Sequence, residues 1–275
     1  MEQDSIDVDK AVDISSKSSQ EKSGFSIPTD YVTLPSMGKA YPQGSALYNK
    51  TEVQVRHLTA ADEDIMTSRS LLRTGRALDV MVQNCIIDKN IKVEELIPGD
   101  KNALITYLRV SGYGPDYEVD MTCPSCSENF DHTFDLSKLS MNTLTISPIE
   151  EGQNAFEYET PTKNKIVFKY LNSSEEKEIN EVQEKIKKTT KSQVDKNVTT
   201  RLKGCILSIN GETDPAFINK YVDTMPVIES RGLRKYMEQN NPDLIMKQDY
   251  SCASCGFEGE VDIPITVSFF WPESW

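Results

Sequence analysis

Cys123-Pro124-Ser125-Cys126 and Cys252-Ala253-Ser254-Cys255 limit what this chain can fold into more than any other feature of its 275 residues. Each Cys-x-x-Cys puts two thiolates on one tight turn, facing a common point. Two such turns complete a tetrahedron around zinc, with Zn–S bonds of about 2.3 Å and no position left for water. The expected cofactor is therefore one structural zinc per chain, held by Cys123, Cys126, Cys252 and Cys255. A redox role fits less well, because a thioredoxin-type motif is tied to a βαβ pattern, whereas both knuckles here lie between alternating, strand-like stretches. With 125 residues between the knuckles, the fold must bring two distant parts of the chain together.

The stretches ahead of the knuckles repeat in order. Val53-Gln54-Val55 alternates like a half-buried strand and leads to Leu58-Thr59-Ala60-Ala61-Asp62, where Thr59 and Asp62 can cap a helix reciprocally. Ile166 to Tyr170 and Leu171-Asn172-Ser173-Ser174-Glu175 follow the same order, 113 residues later. Leu78, Val82, Cys85 and Ile86 fall on one helical face, and Val198, Leu202, Cys205 and Ile206 repeat those steps at an offset of 120. Asp100, Ala103, Leu104, Tyr107 and Leu108 are echoed by Glu229, Gly232, Leu233, Tyr236 and Met237 at an offset of 129. Pro115-Asp116 and Pro242-Asp243 then precede the strands that carry the knuckles, and Phe134-Asp135-Leu136 and Val261-Asp262-Ile263 follow them. Ordered self-similarity of this kind indicates internal duplication. The expected fold is α+β: two internally duplicated helix–strand halves joined by a shared four-cysteine, zinc-ribbon-like site.

Three segments follow. Residues 1–24 form an acidic, Ser-rich N-terminal tail with no periodicity and are expected to be disordered. Residues 25–145 make the first half with the first knuckle, and residues 146–275 the second half with the second knuckle. An insertion, Glu175 to Lys188, is acidic first and basic last. It has a narrow stripe of Ile179, Val182 and Ile186 and i,i+4 pairs at Glu181–Lys185 and Glu184–Lys188, as suits a solvated helix leaning on the body. Leu34 to Pro42, rich in turn formers, is either an internal strap or a docking segment. Asp62-Glu63-Asp64 is an acidic helix start that could face a partner.

Charge narrows the function classes. Lys and Arg number 30 against 43 Asp and Glu, a net charge of −13, which repels phosphate backbones and favours basic protein surfaces. Nucleic acid is not an expected partner. No apolar run is long enough to span a membrane and the N-terminus is not a secretory signal, so a soluble protein made in a cytosol is expected. There is no phosphate-binding glycine loop, serine nucleophile elbow or carboxylate cluster in a metal-binding spacing. His57 and His132 have surface or packing settings, and Cys85 and Cys205 sit among aliphatic residues as small hydrophobes. The expectation is a non-enzyme; homo-oligomerisation is left open.

Leu34-Pro35-Ser36-Met37-Gly38-Lys39-Ala40-Tyr41-Pro42, the run Val55 to Ser68, Ile97-Pro98-Gly99-Asp100-Lys101-Asn102 and Ser111-Gly112-Tyr113-Gly114 together carry a resemblance. They are similar to the baseplate hub assembly proteins of T-even-type contractile-tailed bacteriophages, well over about residues 30 to 140 and more loosely beyond. The resemblance implies a viral protein that binds other tail and baseplate hub proteins. It would be found in the virion tail baseplate, or in the host cytoplasm during assembly. A zinc-ribbon adaptor of transcription or translation machinery is the alternative, but Asp116, Glu118, Asp120, Glu128 and Asp131 around the first knuckle have the wrong sign for it.

Overall fold

A computed structural model describes residues 26–190, 197–263 and 267–270. The tail 1–24 lies outside the described residues, as do the side chains of Ile186 and Lys188. Helices and strands are mixed throughout, as an α+β fold requires. Strand β1 (Thr29–Thr33) pairs antiparallel with β2 (Glu52–Arg56), and helices α1 (Ala60–Thr67), α2 (Arg69–Arg73), α3 (Ala77–Cys85) and α4 (Pro98–Tyr113) follow. The ribbon β3 (Asp116–Thr122) and β4 (Asn129–Asp135) carries the first knuckle, ahead of β5 (Ser140–Asn142). Then come β6 (Phe156–Glu159), β7 (Lys165–Phe168), α5 (Ser173–Thr190), α6 (Asn197–Cys205), β8 (Ile206–Ile209), α7 (Pro215–Thr224) and α8 (Val227–Gln239). Strand β9 (Asp243–Ile245) and the second ribbon, β10 (Lys247–Ser251) with β11 (Glu258–Asp262), complete the described strands, and a 3-10 turn at Val267–Phe270 follows. Strands β6, β7 and β8 form a three-stranded sheet, and the other described sheets are pairs.

Sheets this small cannot bury a core alone, so the helices supply it. α4 is its axis: Pro98 starts the helix where no amide is needed, and Ala103, Leu104, Ile105 and Leu108 are buried. Most of the buried apolar residues, from Val32 to Phe270, form one contiguous cluster.

Local chemistry recurs along the chain. Thr59 donates its backbone N–H to Asp62, which also binds Arg56 through both guanidinium nitrogens. Asn172 donates its backbone N–H to Glu175, Asn172 Oδ1 accepts from the Glu175 N–H, and Lys169 is ion-paired to Glu175. Cys85 and Cys205 are buried at the ends of α3 and α6, and burial pushes their thiols up to about 12 and about 11. Ile86 and Ile206, expected to continue those helices, instead leave them for extended pairing: Ile86 bridges Val55, and Ile206 opposes Phe168. Cross-strand hydrogen bonds satisfy backbone groups that a helix end leaves open.

The segment Leu34 to Pro42 packs inward as a strap, with Lys39 and Pro42 exposed. Leu34 is 0% and Tyr41 3% exposed, and Leu34 N–H binds the Thr51 carbonyl. Gly38 has φ +73°, and a Cβ there would stand 2.4 Å from the Lys50 nitrogen. Asp62 is buried too, at 2% exposure, because Arg56 and the capping box use its carboxylate inward; only Glu63 and Asp64 of that acidic run face out. The insertion behaves as expected of a solvated helix: Ile179 packs over Gly204 while Val182 is exposed.

The strap is tied to α4 by a buried carboxylate. Asp100 accepts from the Ser36 N–H (2.9 Å), the Ser36 hydroxyl (2.6 Å) and the Tyr41 hydroxyl (2.6 Å). Burial pushes its pKa from 3.8 up to about 6, against those hydrogen bonds, which favour the charged form. An acid that holds its proton more tightly when folded contributes fully below its unfolded pKa and loses that contribution as pH rises through the folded value. In urea titrations, the advantage of the wild type over Asp100→Asn should therefore shrink between about pH 4 and pH 7, by roughly 3 kcal/mol. An advantage that grows over that range would contradict this assignment.

Candidate metal centre

Packing between distant segments brings the two ribbons together. β5 pairs with β9 through Ser140–Ile245, Met141–Leu244 and Asn142–Asp243. Gly99 at the start of α4 lies so close to the Pro242 carbonyl that a Cβ would sit 1.8 Å from it, and Asn102 Nδ2 donates to Asp243 at 3.1 Å. Next along the chain, the Gln248 side chain brackets Asp135: its Nε2 donates to the Asp135 carbonyl (2.6 Å) and its Oε1 accepts the Asp135 N–H (3.2 Å). The ribbons then meet through Phe130 and Tyr250, whose rings stack with centroids 5.9 Å apart.

The knuckles have matching backbones. In the first, Cys123 N–H binds the Glu128 carbonyl and Ser127 N–H binds the Cys123 carbonyl; in the second, Cys252 N–H binds the Phe257 carbonyl and Gly256 N–H binds the Cys252 carbonyl. Each turn closes through a residue of positive φ, Ser127 at 59° and Gly256 at 68°. Glycine takes that conformation freely, whereas serine does so at some cost.

The four predicted residues converge. The sulfurs of Cys123, Cys126, Cys252 and Cys255 all lie within 4.8 Å of one another. Cys123 to Cys255 and Cys126 to Cys252 are each 3.8 Å apart. A tetrahedron of sulfurs about 2.3 Å from a central zinc has edges of about 3.8 Å, so the donor set fits the ion in number, chemistry and spacing. Cys123 and Cys252 are buried, and Cys126 and Cys255 exposed, so the cluster sits at the surface with one side covered. Backbone N–H groups of Cys126 and then Ser125 help lower the Cys123 thiol to about 7. Cys126 accepts from the Glu128 N–H, which lowers it, yet desolvation and its three sulfur neighbours carry it up to about 12. Four thiols this close cannot all ionise beside one another without a cation.

The other candidates go elsewhere. His132 lies on β4 with its ring edge-on to Phe134 at 4.6 Å, outside the sulfur cluster. His57 Nε2 lies 2.6 Å from Asp30 Oδ2, and Tyr107 donates to the same oxygen. Sequence reading missed Gln248, Phe130 and Tyr250, which join the ribbons. Tyr250 stands two residues before Cys252 as Met121 stands before Cys123, and that mismatch was its only signal. It also missed Arg109, a fully buried cation in α4. Its guanidinium donates to the carbonyls of Phe269, Gly114 and Asp116 and lies over the Tyr113 and Phe269 rings.

A family model described as T4 bacteriophage base plate protein matches residues 29–271. No curated protein matches the chain, and neither does any solved structure.

Proposed function

The chain belongs to the T4 bacteriophage base plate protein family, and from that premise we propose that it serves the baseplate hub by binding. Family membership makes it a structural protein of the phage tail baseplate, with tail proteins as partners and the virion tail as its place. Beyond that, we assign it to the hub, as a component or as an assembly factor acting in the host cytoplasm, with no substrate turned over.

The observation that carries this proposal is the closed sulfur cluster at the seam between distant segments. One zinc on Cys123, Cys126, Cys252 and Cys255 would fill its shell with thiolates, leaving no position for water or substrate. The metal then supplies a cross-link, and the protein offers partners a stiff surface. Internal duplication is part of the proposal. It is supported by the matched capping boxes with their basic partners, the matched knuckle backbones, and buried acids at the third residue of α4 and of α8. Glu229 accepts from Asn164 and from the hydroxyls of Thr162 and Tyr221, much as Asp100 accepts from Ser36 and Tyr41.

A zinc-ribbon adaptor for nucleic-acid machinery would need a basic collar. The ribbons carry Glu118, Asp120, Glu128, Asp131, Glu258 and Glu260, which repel phosphate. The test is gel filtration of the purified chain with hub proteins and, separately, with RNA. Co-elution with a hub protein, weakening as salt rises from about 0.05 to 0.5 M, is the expected result for contacts steered by charge. Co-elution with RNA and with no tail protein would overturn the assignment.

No helix among the described residues is long and apolar enough to cross a membrane.

A further inference from the structure

The outward face of α8 differs from the rest of this acidic protein in both charge and polarity. Val227, at 71%, is the most exposed large hydrophobic side chain among the described residues, and Ile228 beside it is 62% exposed. One turn on comes Arg231, then Arg234 and Lys235, all exposed and at helical spacing on that face, with Glu238 at its end. The opposite face buries Glu229 and Leu233. Among the described residues, carboxylates engage Lys50, Lys101, Lys169 and Lys203, but no ion pair engages Arg231, Arg234 or Lys235. Three unpaired cations beside two bare aliphatic side chains are unexpected where acids outnumber bases 43 to 30. Exposed apolar groups rimmed by charge mark interaction sites.

A ligand for this face needs several carboxylates interleaved with aliphatic side chains. Residues 2–14 supply them: Glu2, Asp4, Asp7, Asp9 and Asp13 against the single Lys10, with Ile6, Val8, Val12 and Ile14 between. Only in the four-residue run Ile6-Asp7-Val8-Asp9 of that otherwise aperiodic tail do the two kinds alternate, so an extended backbone there would turn aliphatic groups one way and carboxylates the other. We infer that the acidic N-terminal segment of this chain docks on its own α8, with Ile6 and Val8 against Val227 and Ile228 and the acids on Arg231, Arg234 and Lys235. Reach permits it. The eighteen residues from Val8 to Ser26 can span about 60 Å at 3.3 Å each, whereas a globule of this length is about 50 Å across. Tethering also raises the local concentration of the segment to the millimolar range, so a contact too weak to form between separate molecules is populated within one.

Zero-length carbodiimide cross-linking of the full chain, followed by peptide mass spectrometry, tests this. Lys235 should couple to Asp4, Asp7, Asp9 or Asp13, and the yield should fall several-fold at about 0.5 M salt. Arg231→Glu with Arg234→Glu keeps Lys235 as the reporter and should lower the yield about fivefold or more; Ile6→Ser with Val8→Ser should also lower it. Arg231 and Arg234 are exposed, so melting of that double variant should not change. Mixing isotope-labelled and unlabelled chains identifies the occupant. A cross-link within one chain supports the inference, and one joining two chains replaces it with a second copy as the ligand. Yields that neither double variant alters, or coupling of Lys235 only to carboxylates of the folded body, would overturn it.

Discussion

Cys252→Ser should abolish stoichiometric zinc binding and lower the melting temperature by about 6–20 °C. Elemental analysis of the wild type should return one zinc per chain and of the variant close to none. Structural zinc contributes roughly 10–16 kcal/mol of apparent binding energy in finger peptides, where folding and binding are one event. Here only part of that energy reaches global stability, because β5–β9 pairing, Gln248 on Asp135 and Gly99 against Pro242 also hold the distant segments together. A loss of roughly 3–5 kcal/mol, at about 2–4 °C for each, gives the expected shift. Those extra ties also locate the damage. Two parts held by zinc alone would separate in the connecting stretch from about Ser140 to Tyr158. With β5 paired, proteolysis should begin instead at the knuckles, around 123–128 and 252–257. Wild-type protein that binds no zinc yet melts cooperatively, or a variant that melts unchanged, would remove the metal from this account.

Arg109→Met should cost about 3–5 kcal/mol with zinc content intact, read as a lower urea midpoint. The guanidinium satisfies three backbone carbonyls, of Phe269, Gly114 and Asp116, and methionine satisfies none. Each buried acceptor left unpaired costs roughly 1–3 kcal/mol. The packing over Tyr113 and Phe269 is mostly retained by methionine, so the loss measures the hydrogen bonds. Arg109→Lys should also fall well short of wild type, since one ammonium lacks the planar fork that reaches three acceptors. A loss below about 1 kcal/mol for methionine would mean that water or a backbone shift replaces these bonds.

The knuckles, the capping boxes and the α+β character could be read along the chain because each depends on residues a few positions apart. Thr59 and Asp62 cap a helix whatever lies around them, and Cys-x-x-Cys makes its turn within six residues. The buried fates of Leu34 to Pro42 and of Asp62 were harder to see. Pro, Gly and Lys left the segment open between an internal strap and a docking segment, and Ser36 and Tyr41 meeting Asp100 tie it inward. Ile86 and Ile206 kept a perfect helical step in sequence, yet the open edges of Val55 and Phe168 take them into extended pairing. The resemblance to phage baseplate proteins, carried by motifs in residues 30 to 140, agrees with the family match over residues 29–271.

The sequence by itself determined the four thiols, the turns that present them and the capping boxes, because short-range sterics and hydrogen bonds set these within a few residues. Tertiary structure alone decided that sulfurs 126 and 132 residues apart stand 3.8 Å from one another. It also decided that Arg109 spends its charge on carbonyls up to 160 residues away and that, among the described residues, no ion pair engages Arg231, Arg234 or Lys235 of α8. The energy of a buried or unpaired charge depends on which groups the fold places beside it, and those groups lie far from it along the chain.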